Sequence, residues 1–255
     1  MNMAENPIGV FDSGTGGIST LKEIVRLLPC EDIIYYGDTA NAPYGTKSTD
    51  EVMQCVYQIL EKLNERNIKA LVIACNTATS VAAAKLREEL KIPVIGIEPA
   101  LKPAALARKN GHILVLATPV TLSLPKFGQL MSLYGEWAIP TPCPGLMELI
   151  EKKDTIGCRK YLEDIFSRYD PKDLDAVVLG CTHYVFLRPM LRQMLPEHVM
   201  ITDGNEGTAK QLQRVLQTNG LERENGNGTV EFMTSGTKEQ LSVMKEFFMN
   251  ENILK

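Results

Sequence analysis

Two segments of the chain place a cysteine in the same local setting. ALVIACNTATS (70–80) and AVVLGCTHYVF (176–186) each run from aliphatic residues into Cys, then into small polar residues, then into an amphipathic stretch. This pattern predicts a buried strand, a sharp turn and a helix start, with Cys75 and Cys181 at the carboxyl ends of two strands. Ligands of open α/β sheets bind outside those strand ends. Two thiols in matched turns suit a two-sided reaction, with one acid/base group for each face of a small substrate. CNT (75–77) adds an amide and a hydroxyl to the first thiol; CTH (181–183) adds a hydroxyl and an imidazole to the second.

A free cysteine titrates near 8.5, so only a few per cent is thiolate at neutral pH. A helix amino terminus contributes about 0.3–1 kcal/mol, less than one pKa unit at about 1.36 kcal/mol per unit. That is too little to prepare a strong base, so an ionisable neighbour is required. His183 is the candidate for Cys181, and Asp12, at another strand end, for Cys75. Inert packing is the ordinary role of a single buried cysteine; repetition of the turn argues against it for this pair. Cys30, Cys55, Cys143 and Cys158 lack the context and are assigned to packing or to the surface. His112 and His198 flank predicted strands without a polar cluster and are assigned structural roles. Cys75, Cys181, His183 and Asp12 could also bind a metal, but zinc ligands usually come in closer local pairs, and Cys181-x-His183 alone is a weak signal.

Four further stretches offer polar groups. FDSGTGG (11–17) joins a strand to a helix and could hold a carboxylate or phosphate on its N–H groups. Asp12 or Ser13 as a simple helix cap explains it equally well. GDTANAPYGTKS (37–48), with Pro43 and Gly45, could line a pocket or be an ordinary surface connection. ATPVT (117–121) presents Thr118 and Thr121, and CPGLMELIE (143–151) carries Glu151 at a helical position. Capping or surface roles remain open for both.

The elements that must position these residues alternate along the chain. Strands are expected at 8–11, 32–37, 70–74, 94–97, 112–117, 176–180, 199–202 and 230–234. Helices are expected near 17–28, 49–66, 78–90, 100–109, 122–134, 145–152, 156–168, 186–195, 205–218 and 237–249. Repeated βα alternation predicts an α/β fold of mainly parallel sheets flanked by helices. Each cysteine turn sits in its own βα series. We therefore expect two similar lobes facing each other across a cleft that holds the active site. The boundaries are 1–98 plus 208–255 for a discontinuous first lobe and 99–207 for the second, with crossings near Pro99 and DGNEGT (203–208).

Whole-chain numbers bound the function. The 255 residues are 44% hydrophobic and 23% charged, ordinary values for a globular protein, and 6% aromatic, which suits aliphatic parallel sheets. A net charge of −4 gives no basic footprint, so nucleic acid is not expected as a partner. No apolar run approaches a membrane span and the polar start is unlike a secretory signal. With no CxxC among six cysteines, the expectation is a cytoplasmic protein with reduced thiols.

Taken together, these residues resemble the aspartate/glutamate racemase superfamily, and within it the glutamate racemases. The resemblance runs from IGVFDSGTGG through IIYYGDTANAPYGTK, VIACNTAT, PVIGIEPA and VVLGCTH to VEFMTSG. The ordered set is specific; His183 after the second cysteine matters because the aspartate branch usually has Glu there. The resemblance implies two α/β lobes, a substrate site between them and no cofactor: neither pyridoxal phosphate, metal nor nucleotide. It implies that Cys181 takes the α-proton from L-glutamate and Cys75 from D-glutamate, assisted by His183 and Asp12. Ser13, Pro43, Tyr44, Gly45, Asn76, Thr77, Thr118, Thr121 and Thr182 match positions that hold the substrate, and Glu151 matches an acidic residue at the family's site. It also implies a homodimer and D-glutamate supply for peptidoglycan. Asn41 stands where many members have Arg, Glu148 where a Pro is usual, Phe127 for a common Tyr, and ITDGNEG (201–207) for a more usual Asp-Ser-Gly form. These departures bear on affinity and on Glu151 more than on the thiols. The competing readings are a racemase or isomerase for aspartate, a hydantoin or maleate; a two-lobed sensor of an acidic metabolite; and a thiol hydrolase using Cys181 and His183.

Overall fold

A computed structural model describes residues 3–250. The chain forms two compact units: one runs up to Glu98 and resumes over Asn205–Met249, the other is Pro99–Gly204. The second crossing thus falls at 204/205 rather than at 208, because a helix of the first unit already begins at Asn205.

The first unit opens with β1 (Ile8–Asp12), α1 (Ile18–Leu27), β2 (Ile33–Gly37), α2 (Thr49–Asn64), β3 (Ala70–Ile73), α3 (Asn76–Glu89) and β4 (Val94–Gly96). The second unit follows with α4 (Leu101–Ala107), β5 (His112–Ala117), α5 (Pro119–Ser123), α6 (Pro125–Tyr134), β6 (Ala138–Pro142), α7 (Leu146–Glu151), α8 (Thr155–Phe166), β7 (Leu174–Leu179), α9 (Arg188–Met194) and β8 (Met200–Asp203). The chain then returns with α10 (Asn205–Thr218), β9 (Val230–Thr234) and α11 (Lys238–Met249). The sheets have the orders β4-β3-β1-β2-β9 and β6-β5-β7-β8, and every strand pair is parallel. This is the expected α/β class of two parallel sheets flanked by helices.

The central strands are apolar on both faces because helices cover both faces of a parallel sheet. IGVFD and ALVI are buried at every position. α2 starts at a capping box in which Ser48 and Glu51 bond each other's backbone N–H, so the helix begins where the loop after Gly45 ends. At the amino ends of the first sheet, buried Lys69 pairs with buried Glu31 at 2.5 Å and donates to Ala4 O at 2.5 Å. Glu31 also accepts Arg223 N at 2.8 Å, and Arg223 pairs with Asp32 at 2.6 Å. This network pins the returning segment at the sheet end opposite the strand carboxyl termini. Removing one partner of such a buried pair costs about 3–5 kcal/mol.

Three local expectations are corrected. β6 is absent from the expected strands and carries two prolines in five residues, AIPTP. It is an edge strand, and Cys143 N bonds Ala117 O, so the alternate positions Pro140 and Pro142 turn their missing N–H groups away from β5. The helix expected at 122–134 is two helices, split where Pro125 opens α6. The segment after Cys181 is a 3₁₀ turn over Thr182–Leu187 before α9. No described helix is long and apolar enough to cross a membrane.

Candidate active site

In the first unit, Cys75 stands two residues past the end of β3 and is the extended N-cap of α3, with φ −121° and ψ 123°. Its sulfur accepts Ala78 N at 3.5 Å, and its thiol lies 3.5 Å from Ser13 Oγ. The thiol therefore sits on the positive end of a 14-residue helix. β1 lies beside β3, and Ala74 N bonds Phe11 O at 2.7 Å, which brings the Asp12 turn next to the Cys75 turn. Asp12 is fully buried, and its Oδ2 accepts Gly14 N at 3.1 Å and Gly17 N at 3.0 Å. Asp12 thus closes its own turn, while the N-cap of α1 is Gly17 with no side-chain cap bond, so neither Asp12 nor Ser13 is the helix cap weighed from the sequence. Gly17 is required there, because a Cβ would stand 2.5 Å from that of Asp12.

Asn76 and Thr77 open α3 and are almost fully buried. Asn76 Oδ1 finds no hydrogen-bond partner among the described residues, a rare state for a buried acceptor. The loop after β2 contains a cis Ala42–Pro43 peptide and a short turn over Tyr44–Thr46 that includes Gly45. Tyr44 is buried and donates to Asp38 Oδ2 at 2.5 Å; Asn41 Nδ2 donates to both oxygens of Asp38, at 3.0 and 3.2 Å. Burial, followed by the bond to Asp38, pushes the Tyr44 hydroxyl far up, so it stays a donor. Asn41, a departure from the common pattern, is accordingly used to hold Asp38. Sequence reasoning passed over Asp38. Its signal was available: FD ends β1 and GD ends β2, and Asp38 N bonds Asp12 O at 2.9 Å.

In the second unit, Cys181 ends the run of β7 with extended φ −135° and ψ 138°. His183 Nδ1 lies 4.0 Å from Cys181 Sγ, the outer limit for a sulfur contact, and His183 Nε2 lies 3.0 Å from Glu151 Oε1. The imidazole is buried while the carboxylate is one-third exposed at 33%. Burial opposes a charge on His183, but the bonds to Cys181 and Glu151 outweigh it and hold the group well above 6.5. The structure therefore joins three of the site residues, Cys181, His183 and Glu151, although Glu151 is 32 positions from His183.

Thr118 is the N-cap of α5: its Oγ1 accepts Thr121 N at 3.2 Å and lies 2.9 Å from Thr121 Oγ1. Both stand beyond the carboxyl end of β5, adjacent to β7. Thr182 is buried at the first position of the 3₁₀ turn. Tyr184, not singled out from the sequence, is fully buried and donates to Cys143 O at 3.0 Å. The remaining thiols of this unit are packed: burial, then Cys181, pushes Cys143 up to about 12, and burial, then Asp154, pushes Cys158 up to about 11.

The chain is similar to known racemases in sequence and in fold. The profile of the family described as Asp/Glu/Hydantoin racemase matches residues 8–212. A glutamate racemase from Clostridium botulinum (strain Loch Maree / Type A3) is 50% identical over 240 residues, covering 92% of this chain and 93% of the relative. The crystal structure of a glutamate racemase isoform from Bacillus anthracis superposes with TM-score 0.87 at 34% identity, covering 98% of this chain and 96% of that one. The Escherichia coli glutamate racemase, solved with L-glutamate and the activator UDP-MurNAc-ala, gives TM-score 0.82 at 31% identity, covering 94% and 95%.

Proposed function

The chain belongs to the Asp/Glu/hydantoin racemase family and is an amino acid racemase, and from that premise we propose that it interconverts L- and D-glutamate with Cys75 and Cys181 as its two acid/base groups. The observation that carries this reading is the pair of matched turns. Each buried thiol stands just past the carboxyl end of a sheet strand as the extended first residue of the turn that follows, and each has an ionisable residue close in the fold.

Racemisation removes a weakly acidic α-proton from one face of a carbon and returns a proton to the other. Two thiols, one charged and one protonated, do this without turning the substrate over. Cys181 takes the proton from L-glutamate while Cys75 delivers one; the roles reverse for D-glutamate. His183, raised by its contacts with Cys181 and Glu151, is the charge partner of Cys181. Asp12 fixes the turn that carries Ser13 and assists Cys75 from the neighbouring strand end.

As the α-carbon loses its proton, charge moves onto the α-carboxylate, so donors aimed there stabilise the transition state. Each such donor is typically worth about 2.7–4 kcal/mol. Ser13, Asn76 and Thr77 supply these in the first unit, with Pro43, Tyr44 and Gly45 shaping the loop; Tyr44 contributes its backbone, since its hydroxyl is held by Asp38. Thr118, Thr121 and Thr182 supply hydroxyls in the second. The unmet acceptor of Asn76 fits the substrate ammonium group. The proposal extends to a cytoplasmic homodimer that supplies D-glutamate for peptidoglycan. The E. coli relative crystallised with UDP-MurNAc-ala as its activator supports the cell-wall link.

The test is incubation of metal-free, cofactor-free protein with L-glutamate in D₂O, followed by NMR and polarimetry. The expected result is loss of the α-proton signal together with decay of optical rotation to zero. Folded, reduced protein that leaves both signals unchanged refutes the assignment.

A further inference from the structure

Glu151 reaches His183 from the end of a short helix whose Leu146 and Ile150 are fully buried in the core, so packing holds the helix and the loop before it sets where it begins. α7 has six residues, Leu146–Glu151, well short of the roughly 12–15 an isolated helix needs. Its N-cap, Gly145, has φ +79° and no side chain with which to cap. Glu151 is its last residue, so a shift of the helix start moves the carboxylate with it. Together with the burial of Leu146 and Ile150, the loop 143–145 sets where Glu151 arrives.

Two consecutive carbonyls of that loop each accept a tyrosine hydroxyl. Tyr184 donates to Cys143 O at 3.0 Å, and Tyr161 of α8 donates to Pro144 O at 3.0 Å. Cys143 N bonds Ala117 O at 2.9 Å and ties the same loop to the end of β5. Tyr184 is the residue after His183, and its N bonds Cys181 O at 3.0 Å. One turn thus carries the thiol and the imidazole, and it also holds the loop that launches the imidazole's carboxylate. The circuit from Cys181 through His183, Glu151, α7 and the loop back to Tyr184 is closed. Packing alone would be served by Phe at 184 or 161; the hydroxyls add only the two loop bonds.

We propose that Tyr184, seconded by Tyr161, is a positioning residue for the reaction: the two hydroxyls pinch the Cys143–Gly145 loop and thereby set the Glu151–His183 contact. The inference rests on the assignment of Cys181 and His183 above. It names no new catalytic group, since neither tyrosine need touch the substrate.

The variants are Tyr184→Phe and Tyr161→Phe, which keep the rings. For Tyr184→Phe the expected result is a fall in kcat of about 10-fold with KM little changed, because misplacement of a catalytic group affects the reacting geometry. The primary isotope effect with α-deuterated L-glutamate should rise and that with α-deuterated D-glutamate fall. The His183 imidazole signal, one of three histidines, should titrate at lower pH by NMR. In a Glu151→Gln background Tyr184→Phe should add nothing, since both changes act on one contact. Cys158→Ala serves as the structural control: it lowers Tm and leaves the isotope effects and the His183 titration in place. Tyr161→Phe gives the same pattern at smaller size and carries the test if Tyr184→Phe fails to fold. Unchanged His183 titration and isotope effects in a folded variant, or full additivity with Glu151→Gln, overturns the proposal. The titration reads the contact without turnover, so an inactive parent protein would refute the glutamate assignment alone.

Discussion

Cys75 and Cys181 end equivalent strands, yet the two turns support them differently. Cys75 opens a long α-helix, accepts a backbone N–H and lies by the Ser13 hydroxyl; the nearby carboxylate, Asp12, has its Oδ2 committed to two backbone N–H groups. Cys181 opens a 3₁₀ turn, makes no cap bond, and has a buried imidazole backed by a partly exposed carboxylate. One thiol is served by a helix end and a rigid turn, the other by a titratable pair. The repeat therefore conserves the placement of the thiol and not the means of tuning it. The second half is the one that pH and distant substitutions should reach most easily.

The largest expected effect removes the comparison altogether. Cys75→Ala or Cys181→Ala should each cut racemisation by about 10²–10⁴-fold, the usual share of one acid/base group, measured by polarimetry. Full activity in either variant breaks the two-thiol account. The Cys→Ser variants sharpen it: each should still eliminate a leaving group from a β-substituted glutamate of one handedness only, and of opposite handedness for the two positions.

Next come the supporting groups. L- and D-glutamate have equal free energy, so kcat/KM must fall equally in both directions in any variant; the asymmetry lies in the isotope effects. His183→Asn should lower kcat/KM by about 10²-fold and make removal of the proton by Cys181 more limiting. The isotope effect then rises for α-deuterated L-glutamate and falls for the D form. Asp12→Asn should give the mirror image, with Tm nearly unchanged because Asn can still accept the two turn N–H groups. Identical patterns in the two variants would dissolve the assignment of one helper to each thiol.

A smaller effect concerns pH. Folding raises the His183 value, so protonation favours the native state. Its contribution to stability is full below about pH 6.5 and is lost as pH rises through the raised value. Glu151→Gln removes one cause of the rise. The variant should lose less stability across that alkaline window than the parent does, and its kcat should fall by about 10-fold, read by thermal melts and initial rates over pH 6–9. An unaltered pH dependence would detach Glu151 from His183. Smallest is Ser48→Ala, which removes the α2 cap far from either thiol: about 1 kcal/mol, or roughly 2–4 °C in Tm, with kinetics unchanged.

Much of this was legible in the chain because the signals were local. Aliphatic runs ending in a polar turn marked β1, β3, β5 and β7, and the matched CNT and CTH turns marked both thiols. β6 was hidden because proline argues against a strand, and only its edge position removes the objection. Pro125 falls inside the helix expected at 122–134 and in fact opens a new one. The contact of Glu151 with His183, and the tyrosine bonds to Cys143 O and Pro144 O, join residues 17 to 41 positions apart. No spacing rule reaches such pairs; they follow from how α7 and α8 stack on the second sheet.

The most direct measurement of the central claim is the fate of the α-proton at low conversion. L-glutamate is turned over in D₂O, and deuterium is followed in the remaining L and the new D enantiomer. Two thiols predict deuterium in every newly formed D-glutamate and essentially none in recovered L-glutamate, with the reverse result starting from D-glutamate. Retention of the original proton in the product would mean that a single group serves both faces, and would contradict the account.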